Sequence, residues 1–89
     1  MKQVEIRSEV LGFAEQMEKR LQSHDDRPGW KKEPDAYLYD LLVSKVEKLG
    51  VTDFSDREAH LKLTTDIANF AMMLNDNMRR KEREHESRN

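Results

Sequence analysis

The sequence predicts an all-α fold: a small antiparallel bundle of three main helices, completed by oligomerisation. Apolar residues recur at helical spacing in three separate segments, and no stretch alternates as a strand would. Only 36% of the 89 residues are apolar, against 38% that are charged. A chain of this length buries about 60–65% of its unfolded surface, so the core is thin unless copies share it.

In the first segment Ile6, Val10, Phe13, Met17 and Leu21 form one face of a 3.6-residue repeat. Gly12 inside it either permits a close helix approach or weakens the centre by about 1 kcal/mol relative to Ala. The run from Ser23 through His24 to Pro28 and Gly29 is rich in turn formers and ends the helix. The second helix is expected to begin near Pro34, whose fixed φ suits a first helical position. Tyr37, Leu38, Leu41, Leu42, Val46 and Leu49 make its apolar side, with Gly50 placed to end it in a left-handed cap. Ser55-Asp56-Arg57-Glu58 reads as a capping box, in which Ser55 and Glu58 satisfy each other's backbone N–H groups. The third helix follows, with Leu63, Ile67, Phe70, Leu74 and Met78 on one face. Residues 1–78 are expected to form the domain. Residues 79–89 hold both charge signs and no apolar side chain, and are expected to be a fraying, solvated tail.

Composition excludes several function classes. The chain has no cysteine, so thiolate zinc and redox sites are out. The longest apolar run, Phe70 to Leu74, is far short of the ~20 residues that cross a bilayer, so no membrane role is expected. The amino terminus lacks the apolar stretch of a signal peptide, and the expected location is cytoplasmic. A formal charge of −2 does not favour nucleic acid, and Glu82, Glu84 and Glu86 interleave with Arg79, Arg80, Lys81 and Arg83. The six-residue link between helices two and three, with Asp53, Asp56 and Glu58 at its end, argues against a helix-turn-helix. His24, His60 and His85 are scattered with no helical pair, so zinc is not expected. Met72 and Met73 read as core or interface filler. Trp30, after Pro28 and Gly29, reads as a loop anchor over the bundle end.

The informative residues are polar ones beside the apolar stripes. Asp66 and Asn69 flank the core face of helix three. Lys45 lies inside the stripe of helix two, seven residues after Leu38 and four before Leu49, where a charge needs a partner. Lys48 is on the same side.

Gly29-Trp30, Leu41-Leu42, Val46, Leu49 and above all the block Asp66 to Asn77 resemble the MazG-like nucleotide pyrophosphohydrolases, over roughly Phe13 to Met78. The resemblance implies an all-α fold that packs as dimers or tetramers. It also implies magnesium-dependent cleavage of nucleoside triphosphates to monophosphate and pyrophosphate. In that family an ExxE pair on one helix and an ExxD pair on the next hold the metal. Here the ExxE positions carry Lys45 and Lys48, a preceding acidic position carries Ser44, and the Glu of ExxD is Leu63. Asp66 alone remains of the four acids, with Asn69 beside it. Magnesium needs several oxygen ligands. At an effective dielectric of about 20, a lysine about 4–6 Å away repels a divalent ion by several kcal/mol.

The expectation is therefore a catalytically degenerate MazG-like protein with no cofactor, in which the Lys45 ammonium replaces the metal beside Asp66 and Lys48 and Asn69 complete the cluster. Such a chain acts by binding, as a regulator or inhibitor of a protein partner; a phage-encoded inhibitor of host defence is one case, by analogy. Two alternatives stay open. One is the magnesium-dependent enzyme, with Asp66 as metal ligand, or with helix two rotated so that Asp40, Glu47 and Glu58 rebuild an acidic site. The other is a non-hydrolysing nucleoside triphosphate sensor, with Lys45 and Lys48 meeting the phosphates.

Overall fold

The computed structural model describes residues 3–23 and 29–87, with side chains to residue 83. The turn formers 24–28 and the side chain of His85 lie outside the described residues. Helices α1 (Ser8–Gln22), α2 (Asp35–Gly50) and α3 (Arg57–Ser87) account for the regular structure, with a 3-10 turn at Trp30–Lys32. Among the described residues there is no strand, and no helix is long and apolar enough to cross a membrane.

Helix α3 is the spine. Met17 and Arg20 of α1 meet Asn69 and Asp66, and Asp35 and Lys45 of α2 meet Asn77 and Asp66. Rising numbers on α1 and α2 thus pair with falling numbers on α3, so both run antiparallel to it. Helix α2 packs on α3 extensively and α1 more lightly.

The helix ends correct the sequence reading in detail. Pro34 is the residue before α2, not its first, and its carbonyl accepts the N–H groups of Tyr37 and Leu38. Gly50 does not enter the left-handed region and stays helical. The Thr52 hydroxyl donates to the Lys48 carbonyl at 2.6 Å instead, satisfying a terminal acceptor without the glycine cap. The Ser55 capping box does not form. Ser55 donates its N–H and its hydroxyl to Asp53 Oδ1, both at 2.8 Å, and Asp56 Oδ1 caps α3 by accepting the Ala59 N–H at 3.2 Å. A carboxylate at the N-cap also suits the positive helix end, which a hydroxyl already engaged elsewhere does not. Glu58 pairs with Lys62 on the exposed face.

Packing inside one chain is sparse. Leu38, 2% exposed, is the single buried apolar residue among those described, and α1 buries none of its own. Ile6 precedes α1 and is exposed, as are Val10, Leu11 and Phe13, so the expected stripe is covered only near Met17 and Leu21. Tyr37, Val46 and Met78 are also exposed. A Cβ at Gly12 would meet nothing of its own chain within 4 Å, so that glycine serves no close approach between helices of one chain. The other buried residues are Thr65, Asp66, Asn69 and Asn77, all polar and all on α3. Asp66, Asn69 and Asn77 follow helical spacing, so the face of α3 that receives both neighbours carries a polar stripe.

Helix α3 runs on into the charged segment to Ser87, where Arg80 bonds Asp76 and Lys81 reaches Asp35 of α2 at 2.8 Å.

Candidate functional site

The polar stripe of α3 converges on Asp66. From α1, the Arg20 guanidinium donates from Nε to Asp66 Oδ1 at 2.8 Å and from Nη2 to Oδ2 at 3.3 Å. From α2, the Lys45 ammonium stands 3.4 Å from Oδ2. One carboxylate thus ties all three helices. Burial pushes the Asp66 carboxyl upward, but the Arg20 hydrogen bonds and charge, reinforced by Lys45, outweigh it and hold it below the ordinary carboxylate value. Arg20's two-pronged grip is the stronger half, because a planar fork matches a carboxylate where an ammonium acts as a point charge.

Asn69 sits one turn on, buried. Its Nδ2 donates to the Met17 carbonyl at 3.2 Å, and its Oδ1 is buried without a hydrogen-bond partner. Trp30, in the 3-10 turn, donates its indole N–H to Asp76 Oδ2 at 3.1 Å, and the same oxygen accepts from Arg80 Nε at 3.1 Å. These two bonds hold the Asp76 carboxyl below its ordinary value and moor the turn to α3. Between turn, cluster and α2 lies an open cleft of about 830 Å³. Trp30, Tyr37, Phe70, Leu38, Leu41 and Met73 supply its apolar wall, and Arg20, Lys45, Asp66 and Asn69 its polar end.

The residues singled out from sequence divide clearly. Lys45, Asp66, Asn69 and Trp30 are brought together around this cleft. Lys48 is not: its side chain is exposed and outside the lining, and only its carbonyl is engaged. It lies three residues on from Lys45, a rotation of about 60° that turns it out to solvent. Leu63 is half-buried and does not border the cleft. Asp40, Glu47 and Glu58 are exposed, and no trio of acidic, histidine or cysteine side chains among the described residues is placed to hold a metal, so the alternative acidic site is not assembled. His60 stacks on Phe54 with ring centroids 5.2 Å apart, outside the cleft lining.

Arg20 is the member that sequence reasoning missed. It lies seven residues after Phe13 and three after Met17, inside the α1 stripe by the same angular test that singles out Lys45. The donor set does not suit magnesium. A divalent ion needs several oxygens in near-octahedral array, whereas the one carboxylate here has cations on both of its oxygens. The arrangement can orient helices and present cationic hydrogen-bond donors to an anion entering the cleft. Compared with protein-family models, with curated proteins and with solved structures, the chain matches none of them.

Proposed function

We propose that this chain is a MazG-like protein whose metal site has become an internal ion cluster. It acts by protein–protein binding, as a regulator or inhibitor, with self-association to a dimer or tetramer as part of that role. The observation that carries the reading is the seating of Arg20 and Lys45 on Asp66, at 2.8 and 3.4 Å, where the family's resemblance puts a divalent ion. Cations in those positions oppose a divalent ion, and a pyrophosphohydrolase reaction that depends on that ion then has no centre, which leaves the fold as a scaffold.

The surface supports association. Val10, at 56% exposure, with Leu11 and Phe13 on α1, offers an apolar strip of the kind that homodimers bury. A phage-encoded inhibitor of a host defence protein is one setting for such a module, by fold-level analogy.

Two measurements test this. Light scattering on the intact chain is expected to give a dimer or tetramer, with Phe13→Glu shifting it toward monomer; a wild-type monomer at high concentration counts against self-association. Incubation with nucleoside triphosphates and magnesium is expected to release no pyrophosphate. Release that Asp66→Asn abolishes would instead establish the enzyme. The cleft favours one second reading, a non-hydrolysing nucleotide sensor, because Arg20 and Lys45 face a wall of Trp30, Tyr37 and Phe70. Calorimetric titration with triphosphates lacking magnesium separates it: saturable heat supports the sensor, its absence the interaction module.

A further inference from the structure

A second recess, of about 410 Å³, opens where the 3-10 turn meets the later turns of α3. Lys31 and Lys32 border it from the turn, Arg80 and Lys81 from α3, with Glu33 and Asp35 among them. We propose that this recess binds a small oxyanion, inorganic phosphate or a phosphate monoester, through Lys31, Lys32 and the terminal nitrogens of Arg80. The site is separate from the Asp66 cluster and stands whether or not the protein-binding role holds.

The acidic groups nearby are already committed, and their commitments position the cations. Asp35 accepts from Asn77 Nδ2 at 3.2 Å and from Lys81 Nζ at 2.8 Å, one oxygen each. Asp76, behind the recess, accepts from the Trp30 indole and from Arg80 Nε, both at 3.1 Å. Arg80 is therefore held by one of its five N–H groups, and the four on its terminal nitrogens make no bond to the described residues. Lys31 and Lys32 make no ion pair or side-chain hydrogen bond among the described residues. Counting Asp76, four cations face three carboxylates, a net charge of +1. Arg80 neutralises Asp76 and Lys81 neutralises Asp35, which leaves the charges of Lys31 and Lys32 against that of Glu33, with the terminal N–H groups of Arg80 as further hydrogen-bond donors.

Concavity separates this from a solvated surface patch. Donors that converge on a recess from two elements meet a tetrahedral anion on several sides at once. Mooring of the turn through Trp30 and Asp76 lowers the ordering cost of bringing Lys31 and Lys32 to the α3 side. A dianionic phosphate gains more from three cationic donors than a monoanionic carboxylate does. Extended nucleic acid does not fit, because the chain is net acidic and Glu33 and Glu82 interrupt any longer basic track.

Trp30 is the only tryptophan, and its indole N–H shares an acceptor with Arg80, so it reports on the site. The intact, isotope-labelled chain is titrated with sodium phosphate and, separately, with sodium chloride at matched ionic strength, following the indole resonance. Phosphate is expected to give a saturable shift that chloride does not. Lys31→Ala combined with Lys32→Ala is expected to weaken binding by about tenfold or more, since each charged hydrogen bond contributes on that order. Both side chains are exposed, so the fold is kept, which helical circular dichroism checks. Glu33→Gln is expected to tighten binding severalfold, and Lys62→Ala, on the Glu58 pair elsewhere on α3, to leave it unchanged. Glycerol 3-phosphate binding tighter than inorganic phosphate assigns a monoester, and the reverse assigns the free ion; either supports the site. A linear shift equal to that of chloride, wild-type affinity in the double variant, or binding of heparin alone overturns it.

Discussion

Arg20 of α1 grips Asp66 of α3 through both carboxylate oxygens, at 2.8 and 3.3 Å, although 46 residues separate them in the chain. Lys45 of α2 completes the contact at 3.4 Å. In a chain with a single buried apolar residue among those described, this ion cluster does the orienting that a larger core does elsewhere.

The members of the cluster are expected to be energetically coupled, so that losses at Arg20 and Asp66 do not add. Arg20→Ala leaves the buried Asp66 carboxylate short of its main partner, a loss of about 1–3 kcal/mol. Lys45→Ala costs about 1 kcal/mol or less, because Arg20 still holds the carboxylate and Lys45 is partly exposed. Arg20→Ala with Asp66→Ala is expected to cost less than the sum of the single changes. A double-mutant cycle by urea unfolding reads this, and strict additivity would show that the contact contributes nothing.

Acid should unfold the protein partly through Asp66. Its folded-state value lies below the unfolded one, held there by Arg20 and Lys45 against the upward push of burial. Its contribution is therefore present above the ordinary carboxylate value of about 3.9 and is lost as pH falls through the lower folded value. Stability measured from pH 5 down to pH 2 is expected to fall, and Asp66→Asn to flatten that fall. Asp35, Asp53 and Asp76 are lowered too, but Asp53 is exposed and Asp35 and Asp76 are less buried than Asp66, so they contribute less.

The start of α3 offers a cleaner local test. Asp56→Ala removes the N-cap and is expected to cost about 1 kcal/mol in thermal or urea unfolding. Ser55→Ala, which a Ser55 capping box would make the costly change, is expected to cost only a few tenths of that scale, because the Ser55 hydroxyl bonds only the exposed Asp53. Equal losses in the two variants would contradict the assigned cap.

Gly12→Ala is expected to stabilise the chain by about 0.5–1 kcal/mol. The position is helical, a Cβ meets nothing within 4 Å, and the substitution restricts the unfolded state. A loss of stability at high protein concentration would instead indicate that a second copy packs against this part of α1.

Legibility followed the range of the interaction. The three helices were readable because apolar spacing is a local property, and Lys45 and Asp66 stood out because each sits at an angle where a charge needs company. The caps at Gly50 and Ser55 were misread for a related reason. Thr52 takes up the Lys48 carbonyl, and Asp53 takes both the N–H and the hydroxyl that Ser55 would use in the box, leaving Asp56 to cap; sequence spacing does not rank such competitors. Arg20 carried the same angular signal as Lys45 but stood on another helix, with nothing in the sequence to say which neighbour it would meet.

By itself, then, the sequence determined the helix count, the shortage of apolar residues and the placing of Lys45 and Asp66 at angles where a charge needs a partner. Tertiary structure alone decided that Arg20 would take the main share of Asp66, that Lys48 would face solvent, and that Lys31 and Arg80 would border one recess. Periodicity gives each side chain a direction on its own helix. Only the packing of α1 and α2 onto α3 sets which directions face each other, and electrostatic contacts depend on that distance.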